Sequence, residues 1–158
     1  MNRIVNIVFC CTLLVMACSH YDDILKNFNQ SKEGATKSHN QGQNCMNCHN
    51  DNYNLVSHNN WWNIAGTVYR NASQTADAGF VELWTDTNRS GELLYRLPFD
   101  AKGNFYTNNI IDFKDGFYPV LIYSDGTYNP DNSMLTKTKT GACNSCHDGK
   151  TQEQIILY

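Results

Sequence analysis

Trp62-Asn63-Ile64-Ala65-Gly66-Thr67-Val68-Tyr69 decides the fold. Trp62, Ile64, Gly66 and Val68 alternate with their neighbours, and a period of two puts alternate side chains on one face of a strand. The same texture continues for sixty residues. A loop at 71–77 is followed by a second strand at 78–86, where Val81, Leu83 and Thr85 share a face. Thr87-Asn88-Arg89-Ser90-Gly91 is a turn, and 93–99 a third strand. Asp100-Ala101-Lys102-Gly103-Asn104 turns again, with Gly103 suited to positive φ. Phe105-Tyr106-Thr107 and then Ile110-Ile111-Asp112-Phe113 follow, and Asp115-Gly116 is another turn. In the strand at 117–123, Pro119 points to an edge or a strand start. The apolar run at 154–158 closes the chain as a last strand. Short strands between regular turns predict an all-β fold, an immunoglobulin- or transthyretin-like β-sandwich. Asp86-x-Asn88-x-Ser90-Gly91 imitates the start of a calcium loop. Its twelfth position is Leu97 rather than Glu, and strands flank it, so it reads as a hairpin turn.

Outward from the strands lie two copies of one motif: Cys45-Met46-Asn47-Cys48-His49 before them and Cys143-Asn144-Ser145-Cys146-His147 after them. C-x-x-C-H is the attachment signature of c-type haem. Two thiols two residues apart can form thioethers with the vinyl groups on one porphyrin edge, and the adjacent His can ligate the iron. In a chain of this composition one chance match has a probability of roughly one in a hundred, and two under about one in ten thousand. Two covalent haems are therefore expected, with His49 and His147 as proximal ligands. Of seven cysteines, these motifs use four, and Cys10, Cys11 and Cys18 all fall at the N-terminus, which leaves none for a structural disulfide.

The N-terminus places the chain. Met1-Asn2-Arg3 is a short basic start, and residues 4–16 are mainly apolar but too few for a permanent membrane span. Val15-Met16-Ala17-Cys18 resembles the bacterial lipoprotein signal, with Val15 where Leu is commonest. The resemblance implies cleavage before Cys18 and diacylation of its thiol, hence a stable membrane anchor. The alternative is an ordinary cleaved signal with Cys18 incidental. Either way the mature chain lies outside the cytoplasm, in the cell envelope, as haem attachment requires. Residues 19–44 are polar, and 31–38 show no apolar period and read as linker. The expected organisation is a signal at 1–17, lipidated Cys and tether at 18–38, a first haem segment at 39–60, the sandwich at 61–128, and a second haem segment with the closing strand at 129–158.

The order Ala65-Gly66-Thr67-Val68-Tyr69, Val81-Glu82-Leu83-Trp84, Asp100-Ala101-Lys102-Gly103-Asn104-Phe105 and Tyr118-Pro119-Val120-Leu121-Ile122 resembles the carboxypeptidase regulatory-like (transthyretin-like) sandwich over about residues 64–124. With a C-x-x-C-H on each side, it also resembles uncharacterised extracytoplasmic cytochromes of bacteria. That resemblance implies electron transfer and carries over the two haem motifs alone, with no catalytic residue.

Each iron has a sixth position to fill. The candidates are His39, His58 and Met134, with His20 and Met46 weaker. His39 sits six residues before Cys45, and Met134 is an apolar residue in a polar stretch. The preferred scheme gives His39 to one haem and Met134 or His58 to the other. Trp61 or Trp62 is expected beside the first haem. A net charge of -3 offers no basic footprint for nucleic acid. The expected partners are redox proteins, the membrane through the anchor, and further copies of the chain. The rivals are a zinc site made by the two C-x-x-C pairs, redox-active dithiols, a cell-surface binding module with structural haem, and a di-haem peroxidase. The zinc site would need a loop of 94 residues between pairs, and a peroxidase a much longer chain.

Overall fold

A computed structural model describes residues 29–50 and 60–158. The expected signal at 1–17, the lipid-accepting Cys18, His20 and His58 lie outside the described residues.

Among the described residues, eight strands form two sheets. They are β1 (Ile64–Asn71), β2 (Gln74–Thr75), β3 (Phe80–Trp84), β4 (Leu93–Pro98), β5 (Asn104–Thr107), β6 (Tyr118–Ile122), β7 (Tyr128–Ser133) and β8 (Ile155–Ile156). One sheet has the order β2-β1-β5 with β8 also on β1, and the other the order β4-β3-β6-β7. The fold is the expected all-β sandwich. Ile64, Val68, Val81, Leu83, Leu97, Phe99, Phe105 and Leu121 fill the space between the sheets. At about 25 cal/mol per Å² of apolar surface, this burial is the main force holding the sheets together.

β1 is the centre of the molecule. It pairs antiparallel with β5, Ile64 opposite Thr107 and Thr67 opposite Asn104. Alternation predicts one wet face, yet Ala65, Thr67 and Tyr69 are buried along with Ile64 and Val68. Loop 39–45 accounts for part of this: the Gly42 amide donates to Thr67 Oγ1 at 2.9 Å. A side chain at Gly42 would collide with the Tyr69 hydroxyl.

Four readings differ from the structure. The loop at 71–77 contains β2, which pairs back onto β1 at Tyr69 and Asn71. The polar stretch after residue 128 contains β7, an edge strand paired to β6 alone and broken in register. Such a strand needs no apolar alternation, and Pro130 sits on it because an edge tolerates a missing donor. Pro119 is the second residue of β6, near the expected strand start, but β6 lies between β3 and β7 rather than at an edge. Residues 31–38 are not a free linker. Gln30 bridges to Thr107, and Ser31 is fully buried, accepting from the Tyr106 amide and donating to the Pro98 carbonyl of the other sheet. Lys102 Nζ donates to the Ser38 carbonyl at 2.6 Å. This segment has no apolar period because it is held by hydrogen bonds rather than by burial of a face.

The turns follow their expected chemistry. Asp100 Oδ1 accepts from the Lys102 and Asn104 amides, and Gly103 takes φ 77°. The calcium-loop imitation joins β3 to β4, and Asp86 caps a short 3-10 turn there (Thr87–Arg89) by accepting from the Thr87 amide.

Candidate functional site

Both C-x-x-C-H stretches adopt one conformation. Cys45–Asn47 and Cys143–Ser145 are single 3-10 turns. In each, the amides of the second Cys and of the His donate to the carbonyl of the first Cys, His49 at 2.9 Å and His147 at 3.1 Å. The turns are stabilised locally and differently. Asn44 caps the first by accepting from the Met46 amide, and Ser145 Oγ donates to the Ala142 carbonyl in the second. The leading thiols, Cys45 and Cys143, are half-buried, and Cys48 and Cys146 are exposed.

The two histidines are oriented alike. His49 Nδ1 lies 2.6 Å from the Asn60 carbonyl oxygen, and His147 Nδ1 lies 2.8 Å from that of Glu153. A carbonyl only accepts, so each Nδ1 carries a proton, and in the neutral imidazole Nε2 keeps its lone pair. That is the tautomer and support a metal-ligating imidazole needs.

The second motif is a loop thrown out from the sheet. Ala142 bridges Ala65 in parallel, and β8 then pairs in parallel with Val68 and Tyr69. Residues 143–154 therefore leave β1 and rejoin it a few residues further along.

Each motif opens on its own cleft. The first, of ≈ 450 Å³, is lined by Cys45, Cys48, His49, His39, Trp62 and Tyr106. The second, of ≈ 300 Å³, is lined by Cys143, Cys146, His147 and Met134, among others. Both sizes lie in the range of cofactor sites. The fold thus places His39 and His49 in one cleft and Met134 and His147 in the other. The rings of His39 and His49 have centroids 5.8 Å apart. Trp62 stacks on His49 at 5.1 Å and meets Tyr106 at 4.5 Å, so it is the tryptophan of the first cleft. Met46 does not line that cleft.

Electrostatics favour neutral thiols. Burial pushes the Cys143 thiol up to about 12, and the neighbouring Cys45 adds to the rise. Burial also raises Cys45. Tyr106 is raised by burial and then by the Asp100 charge.

The donor set bears on which group the motifs could hold. Among the described residues, which include all four motif cysteines, no three His, Cys, Asp or Glu side chains gather as they would around one ion. A four-thiolate zinc site needs all four sulfurs at one centre. Haem instead takes thiols at a porphyrin edge and an imidazole at the iron, and the separated donors of each motif fit that demand.

Three residues of the site carried no signal as site residues. Thr67, Asn104 and Asn144 form a buried polar cluster between the motifs: Thr67 Oγ1 donates to Asn104 Oδ1 at 2.6 Å and accepts from Asn144 Nδ2 at 3.2 Å. Asn144 fills an unconstrained position of its motif, so spacing alone could not single it out. Among the described residues no helix is long and apolar enough to cross a membrane. No family model, curated protein or solved structure matches this chain.

Proposed function

We propose that this chain is an extracytoplasmic di-haem c-type cytochrome, an electron-transfer protein anchored to a membrane through lipid on Cys18. The observation that carries the reading is the repeated Nδ1-to-carbonyl support of His49 and His147, each in a C-x-x-C-H turn at the mouth of a cleft. Cys45 with Cys48, and Cys143 with Cys146, would hold the two groups. His49 and His147 would ligate the irons, and His39 and Met134 would offer each cleft a second donor. The haem, when bound, supplies one-electron exchange at iron. The chain's own part is to hold those donors in place, since a carrier whose ligands do not move has less to reorganise. Trp62 and Tyr106 wall the first cleft and limit water there. An imidazole pair lowers the potential of an iron and a thioether raises it, so the first site is expected to be the lower in potential. The reading assigns no catalytic residue and expects redox proteins, the membrane and further copies of the chain as partners.

The test is the mass of the full chain exported from the cytoplasm, with a pyridine haemochrome assay. Two haem masses per chain are expected, and Cys45→Ala with Cys48→Ala should remove one. A colourless, zinc-containing product would reject the reading. For the anchor, Cys18→Ala should release the protein from membranes, and an unchanged membrane fraction would reject lipidation there.

A further inference from the structure

The two motifs are separated by most of the sequence, yet one buried cluster joins them. Asn144 is 2% exposed, Thr67 0% and Asn104 3%. Asn144 Oδ1 accepts from the Thr67 amide at 3.1 Å. Its Nδ2 donates to the Gln43 carbonyl, two residues before Cys45, at 3.1 Å. Thr67 Oγ1 accepts from the Gly42 amide at 2.9 Å. Asn104 Nδ2 donates to Ser38 Oγ at 2.9 Å and to the His39 carbonyl at 3.3 Å. Every side-chain polar atom of the three residues has a partner. A fully satisfied buried network specifies one arrangement, because any slip leaves a polar group unpaired in a dry place. What it specifies here is the placement of the second motif, through Asn144, relative to the backbone of His39, Gly42 and Gln43. The Cys143 Cβ is packed against β1 at Gly66, one residue from Thr67.

We propose that Asn144, with Thr67, is a positioning residue that registers the two attachment loops on one another, so that the two cofactors are held as a coupled pair rather than as two independent carriers. The proposal rests on the di-haem reading. It goes further, because two haems on separately mobile loops would satisfy that reading equally well.

The test uses the full exported chain and the variants Asn144→Ala, Thr67→Val and Thr67→Ser. Val keeps the branched strand shape and removes the hydroxyl, and Ser keeps the hydroxyl. Haem per chain is measured first by mass. Fewer than two haems in the wild type sinks the underlying reading. With two haems present, circular dichroism in the Soret band reports whether the chromophores are fixed relative to each other. The expected result is a couplet of opposite-signed lobes in the wild type and in Thr67→Ser. In Asn144→Ala and Thr67→Val the couplet should collapse to a single-signed band while both haems stay attached. A single-signed band in the wild type overturns the proposal, as does a couplet that survives in both variants. If the variants fail to fold, the wild-type and Thr67→Ser spectra decide: a couplet in both supports the proposal, and its absence from either overturns it.

Discussion

Gly66 and Phe105 make a quantitative test of how the second motif is seated. Phe105 is 1% exposed and lines both clefts. An alanine Cβ at Gly66 would stand 2.6 and 2.8 Å from its ring carbons and 3.0 Å from the Cys143 Cβ. The ring is clamped in the core, so Gly66→Ala must displace it or the motif, at a cost of about 1–3 kcal/mol. Phe105→Ala removes a buried ring and costs about 3–5 kcal/mol. If the two sites were independent, the double variant would lose about 4–8 kcal/mol. It is expected to lose no more than Phe105→Ala alone, about 3–5 kcal/mol, because the new methyl enters space the ring has left. The coupling should therefore be at least about 1 kcal/mol. Equilibrium urea unfolding, followed by tryptophan fluorescence on the reduced chain without haem, measures all four corners of the cycle. Additivity within about 0.5 kcal/mol would refute the reasoning, since it would mean that Gly66 does not yield to this ring.

Three further outcomes are expected. Glu82 is fully buried, with Arg89 Nε at 3.0 Å, Arg96 Nε at 3.7 Å and Trp84 Nε1 donating at 2.9 Å. Removing one partner of a buried ion pair costs about 3–5 kcal/mol, but both arginines can turn to water, so Glu82→Ala should cost about 2–3 kcal/mol by urea unfolding. A loss under about 0.5 kcal/mol would mean that the carboxylate contributes nothing net. The Cys143 thiol is raised from 9.0 to about 12, so the folded chain keeps this proton to higher pH than the unfolded chain. Its contribution is complete below pH 9.0 and lost as pH climbs toward about 12. The chain without haem should therefore lose stability in alkali, and Cys143→Ala should flatten that slope; an unchanged slope would assign it to other groups. In the haem-loaded protein, His39→Ala should give a high-spin signal at one haem and open it to carbon monoxide. Met134→Ala should lower one potential, and if neither variant perturbs the spectrum the sixth ligands lie elsewhere, with His58 first in line.

Much of this molecule is written locally. The alternation around Ile64 and Val68, the Asp100–Asn104 turn and the Asp86–Gly91 hairpin depend on residues within one strand or one turn, where period and turn chemistry act directly. The two C-x-x-C-H motifs are local too, because their chemistry sits in five consecutive residues. Elements held from outside were not legible. β7 has polar residues and a proline, and exists because β6 offers an edge. The segment around Ser31 looks like linker and becomes part of the sandwich through bonds to Tyr106 and Pro98. Sequence could propose His39 and Met134 only as donors of the right type; the tertiary fold put His39 in the cleft lined by His49 and Met134 in the cleft lined by His147. The assignment of carbonyl partners to His49 and His147, and the joining of both motifs through Thr67, Asn104 and Asn144, were likewise left to the fold. The reason is physical. A thiol pair or a strand period declares itself through its neighbours in sequence, but a buried amide acquires a role only when packing brings it to a partner 101 residues away, as Asn144 is brought to Gln43.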